Sequence, residues 1–131
     1  MVAALCNAIG TICRMKALKC AVTSGSLADD IRAAAAMAQA LKFSGLVVPS
    51  RTAAVDLTEL SKTGSREYRH IVSSFDLQLV AIECTLGKDG FSLKSDIDRS
   101  LSRLSKVITA AVELGLAMVC LDLGPLPIPP L

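Results

Sequence analysis

A short apolar run followed by an amphipathic helix occurs three times in succession, and a fourth apolar run closes the series. This alternation constrains the chain more than any other feature of its 131 residues. The runs are Leu18–Val22, Phe43–Val48, Leu77–Ile82 and Ala117–Leu121. Each is short and apolar on both faces, as a parallel strand covered by helices must be. Strand–helix–strand connections within one sheet are right-handed, so the reading is a parallel α/β arrangement.

Local signals place the helices. Ser26 with Asp29 three residues on predicts a capping box, with Asp in place of the usual Glu or Gln. Leu27, Ile31, Ala34, Ala35, Ala38 and Leu41 then recur at helical spacing, and Lys42 closes the last turn. A second helix is expected over about Ser65–Phe75, with Tyr68, Ile71, Val72 and Phe75 on one face. Ser95 and Asp98 make another capping-box pattern. Behind them Ile97, Leu101, Leu104, Ile108, Ala111 and Val112 define an apolar face that Gly115 ends. Arg51–Leu60 reads as a long loop in which Ala53–Leu57 forms a short strand or turn. Glu83–Ser95 reads as a loop whose "GKDG" segment is turn chemistry.

Two closures fit this order. One is an open, doubly wound sheet of about four strands. The other is the first half of an eight-stranded (β/α) barrel, which needs about 250 residues in full. The last strand runs into Asp122 and "LGPLPIPPL", with no helix behind it. That favours α/β with parallel βα repeats forming a partial, N-terminal half of a TIM barrel. The expected division is an extension over residues 1–14 and a partial barrel domain over 15–131.

Three segments carry a resemblance. "LKCAVTSGSLADDIRAAAAMAQALKFSGLVV" resembles the opening of the sugar phosphate isomerase/epimerase family, the xylose isomerase-like barrels. "DLTELSKTGSREYRHIVSSFDLQLVAIEC" is similar to that family's second helix and third strand, and "ITAAVELGLAMVCLDLGPLP" to its third helix and fourth strand. The resemblance covers about Met15–Pro127 and only the first half of such a barrel. It implies a parent reaction of metal-assisted isomerisation or epimerisation of a sugar or sugar phosphate. It also implies a divalent metal in the intact family, held by acidic residues and a histidine at later strand ends. No position here matches those ligands, and the single histidine, His70, falls on a predicted helix. No metal is therefore expected for this chain alone, and little activity.

Composition narrows the classes further. Net charge is +2 with signs intermixed, so no basic stripe for nucleic acid is present. Arg66, Arg69 and His70 read as a solvated helix face. Aromatic residues are only 3%, which argues against a base-stacking surface. The five cysteines include no CxxC pair, so a zinc knuckle or thioredoxin-type centre is not supported. A reducing, cytoplasmic setting is the default. The apolar start "MVAALCNAIGTIC" is too short for a membrane helix.

In a (β/α) barrel the site lies where strands end. The tip residues are Thr23, Ser24, Ser50, Arg51, Glu83, Cys84 and Asp122. Glu83 and Asp122 end neighbouring strands and could bind a divalent ion or share acid–base work, or could simply cap their loops. Arg51 could reach a phosphate or sugar hydroxyl, or form a loop salt bridge. Cys84 has no histidine partner and reads as a buried structural thiol. Beside the isomerase-type reading stands a non-catalytic α/β fragment that self-associates through open strand edges. A third reading is a complete doubly wound domain binding a small ligand across its strand ends.

Overall fold

The structure is a computed structural model and describes residues 19–92 and 96–125. The proposed boundary after residue 14 and the prolines beyond residue 125 lie outside the described residues. Four strands, β1 (Ala21–Thr23), β2 (Gly45–Pro49), β3 (Gln78–Cys84) and β4 (Val119–Leu121), alternate with three helices, α1 (Ile31–Ala40), α2 (Lys62–Ser73) and α3 (Ile97–Glu113). Short 3-10 turns follow β1 at Ser24–Ser26 and precede α2 at Leu57–Glu59.

The strands pair in sequence order, β1-β2-β3-β4, and every pair is parallel. This order decides between the two closures. A doubly wound sheet reverses its strand order at a switch point, which sends helices to both faces. Here successive right-handed crossovers step one strand at a time in one direction, so all three helices fall on the same face. Ala35 and Ala38 of α1, Tyr68 and Val72 of α2, and Val107, Ala110 and Ala111 of α3 bury with Leu46, Val48, Ile82 and Cys84 in a single core. Full burial of each large aliphatic side chain contributes about 1.5–3 kcal/mol. The intervening strand residues Val47, Glu83 and Cys120 alternate to the opposite face and take no part in that core. The doubly wound reading is set aside, and the arrangement is a partial barrel repeat.

Helix starts differ from the capping boxes read in the sequence. The N-cap of α1 is Asp30, whose carboxylate accepts from Ala33 N at 3.0 Å. Ser26 is taken up in the preceding 3-10 turn. α2 begins three residues earlier than expected because Ser61 caps it, accepting from Gly64 N at 3.1 Å. α3 is capped by Asp96, one residue beyond Ser95, and accepts from Arg99 N. For α1 and α3 an Asp nearer the apolar run satisfies the free amides, and for α2 a Ser one turn farther out does so. The helix ends do follow the sequence. Lys42 and Gly115 take left-handed backbone (φ 63° and 68°). Each sits inside the paired hydrogen bonds of a Schellman motif, Phe43 N to Ala38 O and Leu116 N to Ala111 O being the longer arms.

The face of α3 is a larger correction. The residues that bury are Ser100, Val107, Ala110 and Ala111, with Leu114 just beyond the helix. Ile97, Leu101 and Ile108 stay about half exposed, and Val112 is 72% exposed. The apolar stripe of this helix is thus wider than the surface the sheet covers.

Register is interrupted once. Leu46 pairs with Leu79 and Val47 with Ala81, leaving Val80 as the extra residue of a bulge. The Val80 side chain lies over Gly45, where an ideal Cβ would stand 2.6 Å from Val80 Cγ2 and 3.1 Å from Gln78 O. Gly45 is required by this close approach and not by an unusual φ. Gly45→Ala should cost about 1–3 kcal/mol as an overpacked site. Val80→Ala in the same molecule should return part of that loss, as a double-mutant cycle of thermal or urea unfolding would measure.

Candidate functional site

The carboxyl ends of β2 and β3 are tied together by main-chain bonds. Ser50 N donates to Glu83 O at 2.8 Å, and Ser50 O accepts from Leu57 N at 2.9 Å. The chain between folds back on itself through an antiparallel bridge of Arg51 with Asp56. Thr52 closes the tip, its hydroxyl bonded to both Val55 O and Val55 N. The segment read as a strand or turn is this small hairpin and the 3-10 turn after it.

Asp56 organises the hairpin's return. One carboxylate oxygen accepts from Thr58 Oγ1 at 2.6 Å and Thr58 N at 3.0 Å, and the other faces Arg51 Nε at 3.6 Å. The Thr58 hydroxyl bond is the chief cause holding the Asp56 pKa below its ordinary value, with Arg103 and Arg51 adding to it against the cost of burial. Arg51 therefore forms a loop salt bridge.

Arg103 joins the two loops. Projecting from α3, it donates through Nε to Thr85 O at 3.2 Å and through a terminal nitrogen to Ser50 Oγ at 3.5 Å. Ser50 is wholly buried. Nothing in the sequence pattern singled out Arg103, since it sits where the apolar face of α3 was expected to give way to solvent. The signal that could have found it is its spacing from Val107 and Ala110, which puts it on the sheet-facing side. Around it an open cleft of about 1040 Å³ runs between the two loops and α3. Arg51, Arg99, Arg103 and Lys106 line it with Asp56, Glu59, Asp89 and Asp96. Lys106 meets Glu59 at 3.9 Å, so these charges largely stitch loop to helix.

The other sequence candidates are separated. Asp122 turns the chain after β4, its carboxylate accepting from Gly124 N at 2.9 Å. That turn brings Leu123 O to Phe91 N at 3.1 Å and sets Gly124 against Gly90 so closely that neither could carry a Cβ. Cys84 is fully buried on the helix side, and burial pushes its thiol pKa up, with Arg103 opposing. Thr23 is half-buried and Ser24 buried in the turn after β1. Glu83 is half-buried on the face opposite the helices, and its carboxylate forms no hydrogen bond or ion pair with any described residue. His70, Arg66 and Arg69 are exposed on α2.

Ca²⁺ and Mg²⁺ take six or more oxygen ligands, several of them commonly water. No group of three or more His, Cys, Asp or Glu suited to a metal occurs among the described residues. Glu83 is uncommitted, whereas Asp122 is engaged in a turn and Arg51 carries positive charge. These residues do not fit a metal of the kind the barrel family uses. No helix among the described residues is long and apolar enough to cross a membrane.

No protein-family model matches the chain, and no curated protein matches it. Among solved structures it is similar to a "xylose isomerase-like TIM barrel/4-hydroxyphenylpyruvate dioxygenase fusion protein", with a TM-score of 0.55 and 15% sequence identity. The likeness is one of fold. The match covers 77% of this chain and 15% of that protein, so this chain corresponds to a small part of its length. It supports a distant, partial correspondence to a xylose isomerase-like barrel.

Because Asp56 is held below its usual pKa of 3.8, its contribution is complete above the unfolded-state value and is lost as pH falls through the lowered folded value. Asp56→Ala removes the cap of the 3-10 turn and should cost about 1–2 kcal/mol at pH 7. The gap between the two proteins in urea unfolding should narrow as the carboxylate becomes protonated.

Proposed function

We propose that this chain supplies the first three βα units and the fourth strand of a xylose isomerase-like barrel, and that isomerase or epimerase chemistry on a sugar or sugar phosphate requires the remaining units. The observation that carries this reading is where the exposed apolar side chains lie. On α1, Arg32 reaches toward α2 by its ion pair with Glu67 at 3.9 Å. At about 100° per residue, Met37 and Leu41 stand on the opposite flank, and both are exposed. On α3, Lys106 and Arg103 face the β2–α2 loop, and the exposed stripe of Ile97, Leu101, Ile108 and Val112 lies on the far flank. Met118 and Leu123 extend that flank at β4. The large exposed hydrophobics thus border the two outer units and spare the middle one. In a closed barrel those flanks pack against the neighbouring βα units.

Glu83 is the side chain best placed to serve a completed site, since it projects from a strand end on the face that becomes a barrel's interior. A second reading, a non-catalytic fragment that acts by self-association, is favoured by the same flanks together with the lack of a ligand cluster among the described residues. Both readings expect association. They differ on whether Glu83 ever meets substrate.

Light scattering on a sizing column should show the 131-residue protein as a dimer or larger species at micromolar concentration. Leu101→Lys with Ile108→Lys should shift it toward monomer and remove the concentration dependence of its melting temperature. A wild-type monomer at every concentration, melting cooperatively, would overturn both readings. Solvent-deuterium exchange at the carbon beside the carbonyl of pentoses, hexoses and their phosphates, with Mg²⁺ or Mn²⁺ present, should be absent for this chain alone. Exchange abolished by Glu83→Gln would show instead that these units suffice alone.

A further inference from the structure

A second cavity, of about 320 Å³, lies between the turn after β1, the β2–α2 hairpin and α2, away from the cleft around Arg103. Its walls include Ile31, Val55, Leu60 and Ile71. Two polar side chains that are more than nine-tenths buried, Ser24 and Tyr68, also line it. Neither hydroxyl forms a hydrogen bond with any described residue. Neither oxygen is sealed from solvent, so each can exchange a water for a ligand oxygen across the cavity. Both side chains border the same half-open cavity.

The charges at the mouth select the occupant. Asp29, Asp30 and Glu67 outnumber Arg32 there, which disfavours a carboxylate or phosphate. All three carboxylates are exposed at the rim, so none offers a buried ammonium a counter-charge inside the cavity. Burial, with the negative charge of Asp30 adding to it, pushes the Tyr68 pKa up to about 12, which keeps the phenol protonated as a hydrogen-bond donor. The apolar walls favour a hydrocarbon body, and the volume lies at the small end for ligand pockets.

We propose that this pocket binds a small uncharged molecule with an apolar body and one carbonyl or hydroxyl oxygen, the oxygen being held by the hydroxyls of Ser24 and Tyr68. This goes beyond the barrel reading and does not depend on it, because the pocket is complete within the first two βα units.

Cyclohexanone is a suitable probe. Titrated into the full ¹⁵N-labelled chain, it should produce saturable shifts centred on the amides of Ser24, Ile31, Val55 and Tyr68. Tyr68→Phe keeps the ring and removes one hydrogen bond, so it should weaken binding about fivefold, and Ser24→Ala should act similarly. If Tyr68→Phe does not fold, Ser24→Ala decides alone by the same measure. Shifts that never saturate would mean that the hydroxyls are served by water, and would overturn the proposal. Affinity unchanged in the variants, or cyclohexanecarboxylate binding as tightly as the ketone, would also overturn it.

Discussion

Pairing between β2 and β3 is the contact on which the other elements depend. The five residues of β2 lie parallel to β3, which carries Val80 as an extra residue, and the helix-facing residues of the two strands, Leu46, Val48, Ile82 and Cys84, form the floor on which α1, α2 and α3 all rest. Parallel neighbours cannot be joined by a tight turn, so each step needs a crossover helix. Because every crossover has the same hand and the strands advance in order, the helices collect on one side. The asymmetry of the sheet, with one face packed and one left to other uses, follows from that single topological fact.

Much of this was legible in the residues. The apolar runs gave the four strands within a few residues, helped by Pro49 and Gly115, which act through backbone geometry. The helix starts were less legible because Ser26, Asp29 and Asp30 are all competent caps, and only packing chooses among them. The face of α3 was misread for a related reason. A helix at the flank of a barrel carries apolar residues for two surfaces, the sheet and the next helix, and periodicity shows their sum. The small residues Ser100, Ala110 and Ala111 mark the sheet side. They score weakly as hydrophobes but allow the helix to approach closely.

The strand-end positions of the candidate residues were legible, and their partners were not. Arg51 and Asp122 stand at strand ends as expected, yet each is occupied in shaping its loop, one by Asp56 and the other by Gly124. Glu83 differs from them only through the alternation of β3, which turns it away from the helices. The side of α3 that carries Arg103 was readable from Val107 and Ala110, but its partners, Ser50 and Thr85, are 53 and 18 residues away. Such contacts arise from the fold, and no spacing rule in the sequence encodes them.

The one-directional winding also has a kinetic consequence. Each strand pairs only with the units immediately before and after it, so every closure joins segments a few tens of residues apart and no contact waits on the far end of the chain. Loop-closure costs of this kind rise slowly with length and favour rapid, local assembly. The chain can therefore acquire order unit by unit as it is synthesised. β2 and β3, with neighbours on both sides, form its most protected segment, and amide exchange should be fastest along β1 and β4.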